Sequence, residues 1–125
     1  MSSDSIGLVI GLGVLGAVLL TGGTLGLGGW LPMNQVVGIR LPSVMMSDAA
    51  WRAGHRSAGP YLILGGASAG AAAVVAALVP SANPLAVSLA GGGSAVLFLV
   101  IGAVVASKSA LRAESRQPAS NPGAP

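Results

Sequence analysis

The polar part of this chain is concentrated in residues 34–60, which read NQVVGIRLPSVMMSDAAWRAGHRSAGP. This stretch holds half of the Lys, Arg, Asp, Glu and His side chains of the protein, together with one of its tryptophans: Arg40, Asp48, Trp51, Arg52, His55 and Arg56. The residues on either side are apolar and rich in glycine, apart from the two termini. Because the chain has so few charged side chains, the place where it concentrates them is the first candidate for function.

The composition excludes most classes of soluble protein. Of the 125 residues, 53% are hydrophobic and only 7% are charged, whereas soluble domains carry about 25% charged residues. We therefore expect a membrane protein small enough to form one compact bundle. The lack of cysteine excludes disulfides and thiolate metal sites. A net charge of +3 is too small for a nucleic-acid-binding surface.

Three uncharged runs are long enough to cross a bilayer, namely residues 6–29, 61–79 and 85–107. A helix needs about 20 apolar residues to cross a hydrocarbon layer of about 30 Å. The pattern predicts an all-α membrane protein with one three-helix membrane domain over residues 1–107, a loop at 32–60, and a tail at 108–125 that is first basic and then disordered. The first run lacks the basic start and cleavage site of a signal peptide, so we interpret it as a span.

The glycines within these runs have two interpretations. Gly11, Gly13 and Gly16 spell G-x-G-x-x-G, but the dinucleotide-binding fingerprint works only between a strand and a helix, with an acidic residue about 20 positions later. Glycines four residues apart instead favour close helix packing. We expect this packing role for Gly7, Gly11, Gly22, Gly26, Gly66 and Gly70.

The basic residues predict the orientation in the membrane. All six lie either in the 32–60 loop or after residue 107, and none lies in the N-terminal segment or in the 80–84 turn. Three crossings place that loop and the C-terminus on one side, which the positive-inside rule assigns to the cytoplasm. We therefore expect a multi-pass protein of the inner (plasma) membrane, with its N-terminus outside and its C-terminus cytoplasmic.

A short amphipathic helix is expected within the loop. Ser47 is a good N-cap, and the helix is expected to stop at Gly59-Pro60. On a helical wheel the titratable and aromatic residues share one arc, opposite an arc of small residues: Asp48, Trp51, Arg52, His55 and Arg56. The polar arc fits anchoring on anionic lipid headgroups of the cytoplasmic face. It equally fits convergence of the arginines and His55 on an anionic or peptide ligand.

The order of residues in this loop resembles the signature of the SdpI family. The matching positions are Asn34, Gly38, Ile39, Arg40, Pro42, Ser47, Trp51, His55, Arg56 and Gly59. The membrane domain of that family also has three spans, with this motif between the first and second. Its founding member is an immunity protein, which protects the cell from a secreted peptide toxin and sequesters a repressor at the membrane. The resemblance implies a peptide toxin or regulator as partner, and ligand or partner binding by Asn34, Gly38, Arg40, Pro42, Trp51, Arg52, His55 and Arg56.

Catalysis is the function that these residues favour least. The chain has one histidine and no cysteine, and its acids are Asp4, Asp48 and Glu114. We therefore expect no enzyme activity, no cofactor and no metal site. The alternative to an immunity protein is a small accessory subunit that packs through its Gly/Ala faces against a larger membrane enzyme or transporter. A stoichiometric partner that copurifies in mild detergent would favour this alternative.

Overall fold

The computed structural model describes residues 2–34 and 37–116, and every regular element in these two ranges is helical. Three helices are long and apolar enough to cross a membrane: α1 Ser3–Gly28, α2 Asp48–Leu78 and α3 Pro84–Ser115. One turn of α3, Ser88–Gly92, is π-helical. The prediction of an all-α membrane protein with three spans is therefore confirmed. The predicted disordered end of the tail falls on residues 117–125, outside the described residues.

Each helix begins at a polar cap that the sequence supplies. The side chains of Ser2, Ser47 and Asn83 accept hydrogen bonds from backbone N–H groups in the first turns of α1, α2 and α3. These bonds satisfy donors that have no partner within the helix. α1 ends at Gly29, whose φ of 75° is a left-handed conformation that suits glycine.

α2 runs through Pro60 without a break, which corrects the expectation of a separate short helix in the loop. The residues assigned to that helix form the first turns of α2 instead. Proline lacks a backbone donor, and its ring crowds the Cβ atom of the preceding residue. Here the preceding residue is Gly59, which has no Cβ atom. A Cβ there would also lie 2.9 Å from the Gly23 carbonyl oxygen of α1, so close packing on α1 holds this part of α2 helical.

α2 lies between the other two helices, and both of them pack more against α2 than against each other. The contact with α1 depends on glycine, because a Cβ atom at Gly16, Gly23 or Gly26 would lie 2.9 Å from a carbonyl oxygen of α2. On the α3 side, Ala58 and Ala106 are fully buried. Small residues on both faces therefore let the backbones approach closely.

The glycines chosen by their spacing occupy different environments. A Cβ atom would meet another segment of the chain at Gly22, Gly26 and Gly66. At Gly7 and Gly11, which were expected at a helix contact, a Cβ atom would have no neighbour within 4 Å. These two glycines therefore lie on a face of α1 that does not contact another helix. Gly70 is intermediate: its backbone nitrogen lies 3.0 Å from the Cβ position of Gly16, but its own Cβ position is open.

Two buried clusters fill the bundle. The larger one extends into the connection between α1 and α2 and includes Leu31, Ile39, Val44 and Trp51. The smaller one lies nearer the other end, around Leu12, with Ala72, Ala73, Ala76 and Val87. The α1–α2 connection is thus part of the hydrophobic core rather than a solvated loop.

Candidate functional site

Trp51 fastens the start of the α1–α2 connection to α2. Its indole is buried, with 1% of its surface exposed. The indole N–H donates a hydrogen bond to the Leu31 carbonyl oxygen at 2.8 Å. A buried indole N–H requires such a partner, so the apolar ring and its one polar atom are both used to hold the chain just after α1.

His55 fastens the middle of the same connection. Its Nε2 atom accepts a hydrogen bond from the Ile39 backbone N–H at 2.8 Å. Because that N–H is a donor, Nε2 carries no proton, and Nδ1–H donates to the Trp51 carbonyl oxygen at 2.9 Å. The imidazole therefore lies buried in one neutral tautomer, with its ring centroid 4.1 Å from that of Trp51. Both ring nitrogens are occupied by backbone groups.

Asn34 and Gly38 shape the connection between Leu31 and Ile39, the two residues that Trp51 and His55 bind. The Asn34 amide donates to the Pro32 carbonyl oxygen at 2.8 Å and accepts from the Val37 N–H at 2.7 Å. Gly38 has a φ of 122°, which L side chains rarely adopt. A Cβ atom there would lie 2.6 Å from the Nε2 atom of His55. Glycine is therefore required at this position both for its conformation and for the space.

The predicted site residues fall into two groups rather than one. Trp51 and His55 are buried inside the bundle, whereas Arg40, Arg52 and Arg56 are exposed. This corrects the helical-wheel interpretation, in which Trp51, Arg52, His55 and Arg56 faced one way. The aromatic rings and the arginines separate because an aromatic pair is stabilised by burial, whereas a guanidinium group is stabilised by hydration.

The arginines do not converge on one point. Arg40 lines a cavity of about 510 Å³ between α1, α2, α3 and the connection. Arg56 lines a different cleft, and its Nη2 atom lies 2.8 Å from the Cβ position of Gly29 at the end of α1. Pro42 is exposed and follows Leu41, whose carbonyl oxygen accepts from the Val44 N–H in a tight turn.

The cavity beside Arg40 is largely apolar. Its walls include Leu15, Leu19, Val37, Ile39, Leu62 and Leu99. Val18 also lines it and is 47% exposed. The cavity is therefore open at the surface of the bundle, with a single cationic side chain at one end of an apolar interior.

Three serine-mediated contacts tie the connection and the start of α2 to the C-terminal part of α3. The Ser43 and Ser107 hydroxyls lie 2.8 Å apart, and the Ser109 hydroxyl donates to that of Ser57 at 2.6 Å. The Ser47 hydroxyl donates to the Glu114 carboxylate while it also caps α2. Sequence reasoning missed these contacts because residues 108–116 were assigned to a tail, whereas α3 continues to Ser115. The seven-residue spacing of Ser107 and Glu114 on one helix face was the available signal.

Metal binding has no support in the described part of the chain. Within residues 2–34 and 37–116, no three His, Cys, Asp or Glu side chains lie close enough to share a metal ion. The exposed arginines carry side chains that suit anionic groups.

Comparison with known proteins identifies one family. The model of the SdpI/YfhL protein family matches residues 30–109, which include the α1–α2 connection, all of α2 and most of α3. No curated protein and no solved structure matches the chain.

Proposed function

The chain belongs to the SdpI/YfhL protein family, and from this we propose that it is a small multi-pass membrane protein that gives immunity to a membrane-active peptide toxin. In this proposal the toxin binds within the bilayer, in the cavity between α1 and α3. Arg40 contacts an anionic group of the peptide, such as a carboxylate. The observation that carries the proposal is the apolar cavity of about 510 Å³ with Arg40 at its edge.

The position of the cavity suits a ligand that arrives through the bilayer. α1 and α3 pack mainly on α2, so the gap between them opens sideways near Val18, which is 47% exposed. An apolar peptide could enter from the lipid without crossing water. Lipid chains are as apolar as leucine, so burial alone supplies little preference for the cavity over the bilayer. The preference must come from shape and from Arg40, whose planar guanidinium holds a carboxylate through two hydrogen bonds.

The hydrogen bonds that hold the connection in place support a preorganised binding site. Val37, Gly38 and Ile39 line the cavity immediately before Arg40. Ile39 is held by His55, and Asn34 fixes Val37. A binding loop that is already ordered loses little conformational entropy when a ligand arrives. This division gives the buried motif residues a positioning role and leaves the exposed Arg40 to contact the ligand.

The proposed orientation places this site at the cytoplasmic side of the plasma membrane. The Ser43–Ser107 contact joins the connection to α3, and the Ser57–Ser109 contact joins α2 to α3. The six basic residues lie in the connection, in the first turns of α2, and in or just after the C-terminal part of α3, and a concentration of Lys and Arg on one side favours a cytoplasmic location. Movement of the connection on toxin binding would reach α3 through the same serine contacts, which is a route for signalling to a cytoplasmic regulator.

A protection assay tests the proposal. A deletion strain is complemented with the wild-type chain, with Arg40→Gln, or with Arg52→Gln, and is then challenged with the secreted peptides of neighbouring strains. Arg52 is the matched control, because it is an exposed arginine that also lies within residues 34–60 but does not line the cavity. We expect the wild type and Arg52→Gln to protect the cells, and Arg40→Gln to fail while inserting normally. Full protection by Arg40→Gln would contradict the proposal.

Filling the cavity provides a second variant that leaves every charge in place. Ala103 lines the cavity and is half-buried, whereas Val96 of the same helix is 57% exposed and lies outside it. Ala103→Phe should abolish protection, and Val96→Phe should not. If no peptide distinguishes the deletion strain from the wild type and a stoichiometric partner copurifies with the chain, the accessory-subunit function is favoured instead.

A further inference from the structure

A second cleft lies between α2 and the end of α3, and its lining differs from that of the apolar cavity. It has a volume of about 310 Å³. Its walls include Ala53, Arg56, Ser57, Ser109, Arg112 and Arg116. Half of the chain's basic residues are therefore gathered around one small cleft, although they come from two helices that are far apart in sequence.

The charges in this cleft are not balanced by an acid. No Asp or Glu residue is among the described residues that line it. Glu114, the nearest acid in sequence, accepts a hydrogen bond from Ser47 instead. Arg112 lies in the last turn of α3 and Arg116 directly follows its end, so two like charges lie close together and repel each other. A bound anion would relieve this repulsion.

Two serine hydroxyls, those of Ser57 and Ser109, also line the cleft. The Ser109 hydroxyl donates to the Ser57 oxygen at 2.6 Å. Because Ser57 accepts in this contact, its own hydroxyl proton is not used in it. Arginine side chains and serine hydroxyls line this cleft together, and both kinds of group donate hydrogen bonds to phosphate oxygens.

We propose that this cleft binds the phosphate group of an anionic lipid headgroup. The depth of the cleft in the membrane favours a lipid as the source of the phosphate. The uncharged run of α3 ends at Ser107, and a helix rises about 1.5 Å per residue. Ser109 then lies about 3 Å, and Arg112 about 7 Å, beyond the end of the apolar segment. The headgroup layer extends about 5–7 Å from the hydrocarbon on each side, so Ser109 and Arg112 lie at the level of the lipid headgroups.

This inference is independent of the proposed toxin site. The cleft shares no lining residue with the cavity beside Arg40. A protein that fails to protect against any toxin can still bind a lipid here, and the converse also holds.

The experiment measures which lipids stay bound to the full-length protein. The protein is reconstituted in phosphatidylcholine nanodiscs with a minor fraction of phosphatidylglycerol and released for native mass spectrometry. We expect the wild type to retain phosphatidylglycerol selectively, and Arg112→Gln to lower this retention about tenfold, which is the factor for one charge-assisted hydrogen bond. Arg116→Gln, close to the end of the helix, is a second variant in case Arg112→Gln does not fold.

Lys108→Gln is the matched control. Lys108 is an exposed cation of the same helix, but it lines a different cavity, with Leu41 and Val104. Its loss should change lipid retention by less than about twofold, as for an isolated surface charge. Equal losses in Lys108→Gln and Arg112→Gln, or no preference of the wild type for the anionic lipid, would overturn the proposal. Displacement of the lipid by millimolar inorganic phosphate in the wild type, but not in Arg112→Gln, would support the phosphate site and show that soluble phosphate also reaches it.

Discussion

Substitution of Gly38 by alanine tests whether the α1–α2 connection is fastened to the bundle as described. The new Cβ atom would lie 2.6 Å from His55 Nε2 and 3.1 Å from two carbon atoms of the Trp51 ring. Both rings are buried, so neither can move away without disturbing the core. In addition, the φ of 122° suits glycine and strains an L residue.

The expected loss of stability is about 2–4 kcal/mol. Backbone strain of this kind costs about 1–3 kcal/mol, and overpacking of a core costs about 1–3 kcal/mol. The two terms sum to about 2–6 kcal/mol, and we expect the lower part of this range because the connection can shift to relieve the clash. Such a shift would break the Ile39 N–H···Nε2 bond, and an unsatisfied buried donor costs about 1–3 kcal/mol.

The assay is unfolding by a denaturing detergent, starting from a mild one, with tryptophan fluorescence as the signal. Trp30 is 71% exposed and Trp51 is 1% exposed, so a Trp30→Phe background leaves Trp51 as a reporter of the connection. Gly7→Ala is the control, because a Cβ atom there has no neighbour within 4 Å. If Gly38→Ala unfolds at the same detergent concentration as Gly7→Ala and leaves the Trp51 emission unchanged, the connection is not held by Trp51 and His55 as described.

Two further outcomes are expected. Gly66→Ala should lower stability by about 1–3 kcal/mol, because its Cβ atom would lie 2.8 Å from the Leu20 backbone nitrogen. Gly70→Ala should be nearly neutral, because its Cβ position is open. Equal effects of the two variants in the same unfolding assay would show that the α1–α2 contact is misplaced. Reporter fusions should place Ala82 outside the cell and the chain after Arg116 in the cytoplasm, since the basic residues lie at the latter end; a cytoplasmic signal at Ala82 would refute this orientation.

The three spans could be predicted from the sequence because the thickness of the bilayer fixes the length of an uncharged run. The ends of the helices could not. α2 starts at Asp48 rather than after Pro60 because Gly59, which has no Cβ atom to crowd the proline ring, packs closely against Gly23 of α1. α3 continues past Lys108 because polar side chains there, such as Glu114, find partners on the α1–α2 connection. Both deviations arise from tertiary contacts, which helix propensity does not include.

The candidate site was found in sequence but its parts were assigned one common role. A concentration of Arg, His and Trp in an apolar chain drew attention to residues 34–60. Periodicity could not reveal that His55 bonds to a backbone group 16 residues away, or Trp51 to one 20 residues away. The cleft around Arg112 was missed because its two walls come from separate helices.

The separation of the motif into buried and exposed members decides how variants in it should be interpreted. Replacement of Trp51 or His55 removes a buried partner of the backbone, so a loss of protection in such a variant reports misfolding as readily as lost ligand binding. Replacement of Arg40 removes an exposed group that lines the cavity and leaves those backbone bonds in place. A loss of protection in Arg40→Gln at unchanged Trp51 emission therefore identifies ligand contact, and the same loss with altered emission does not.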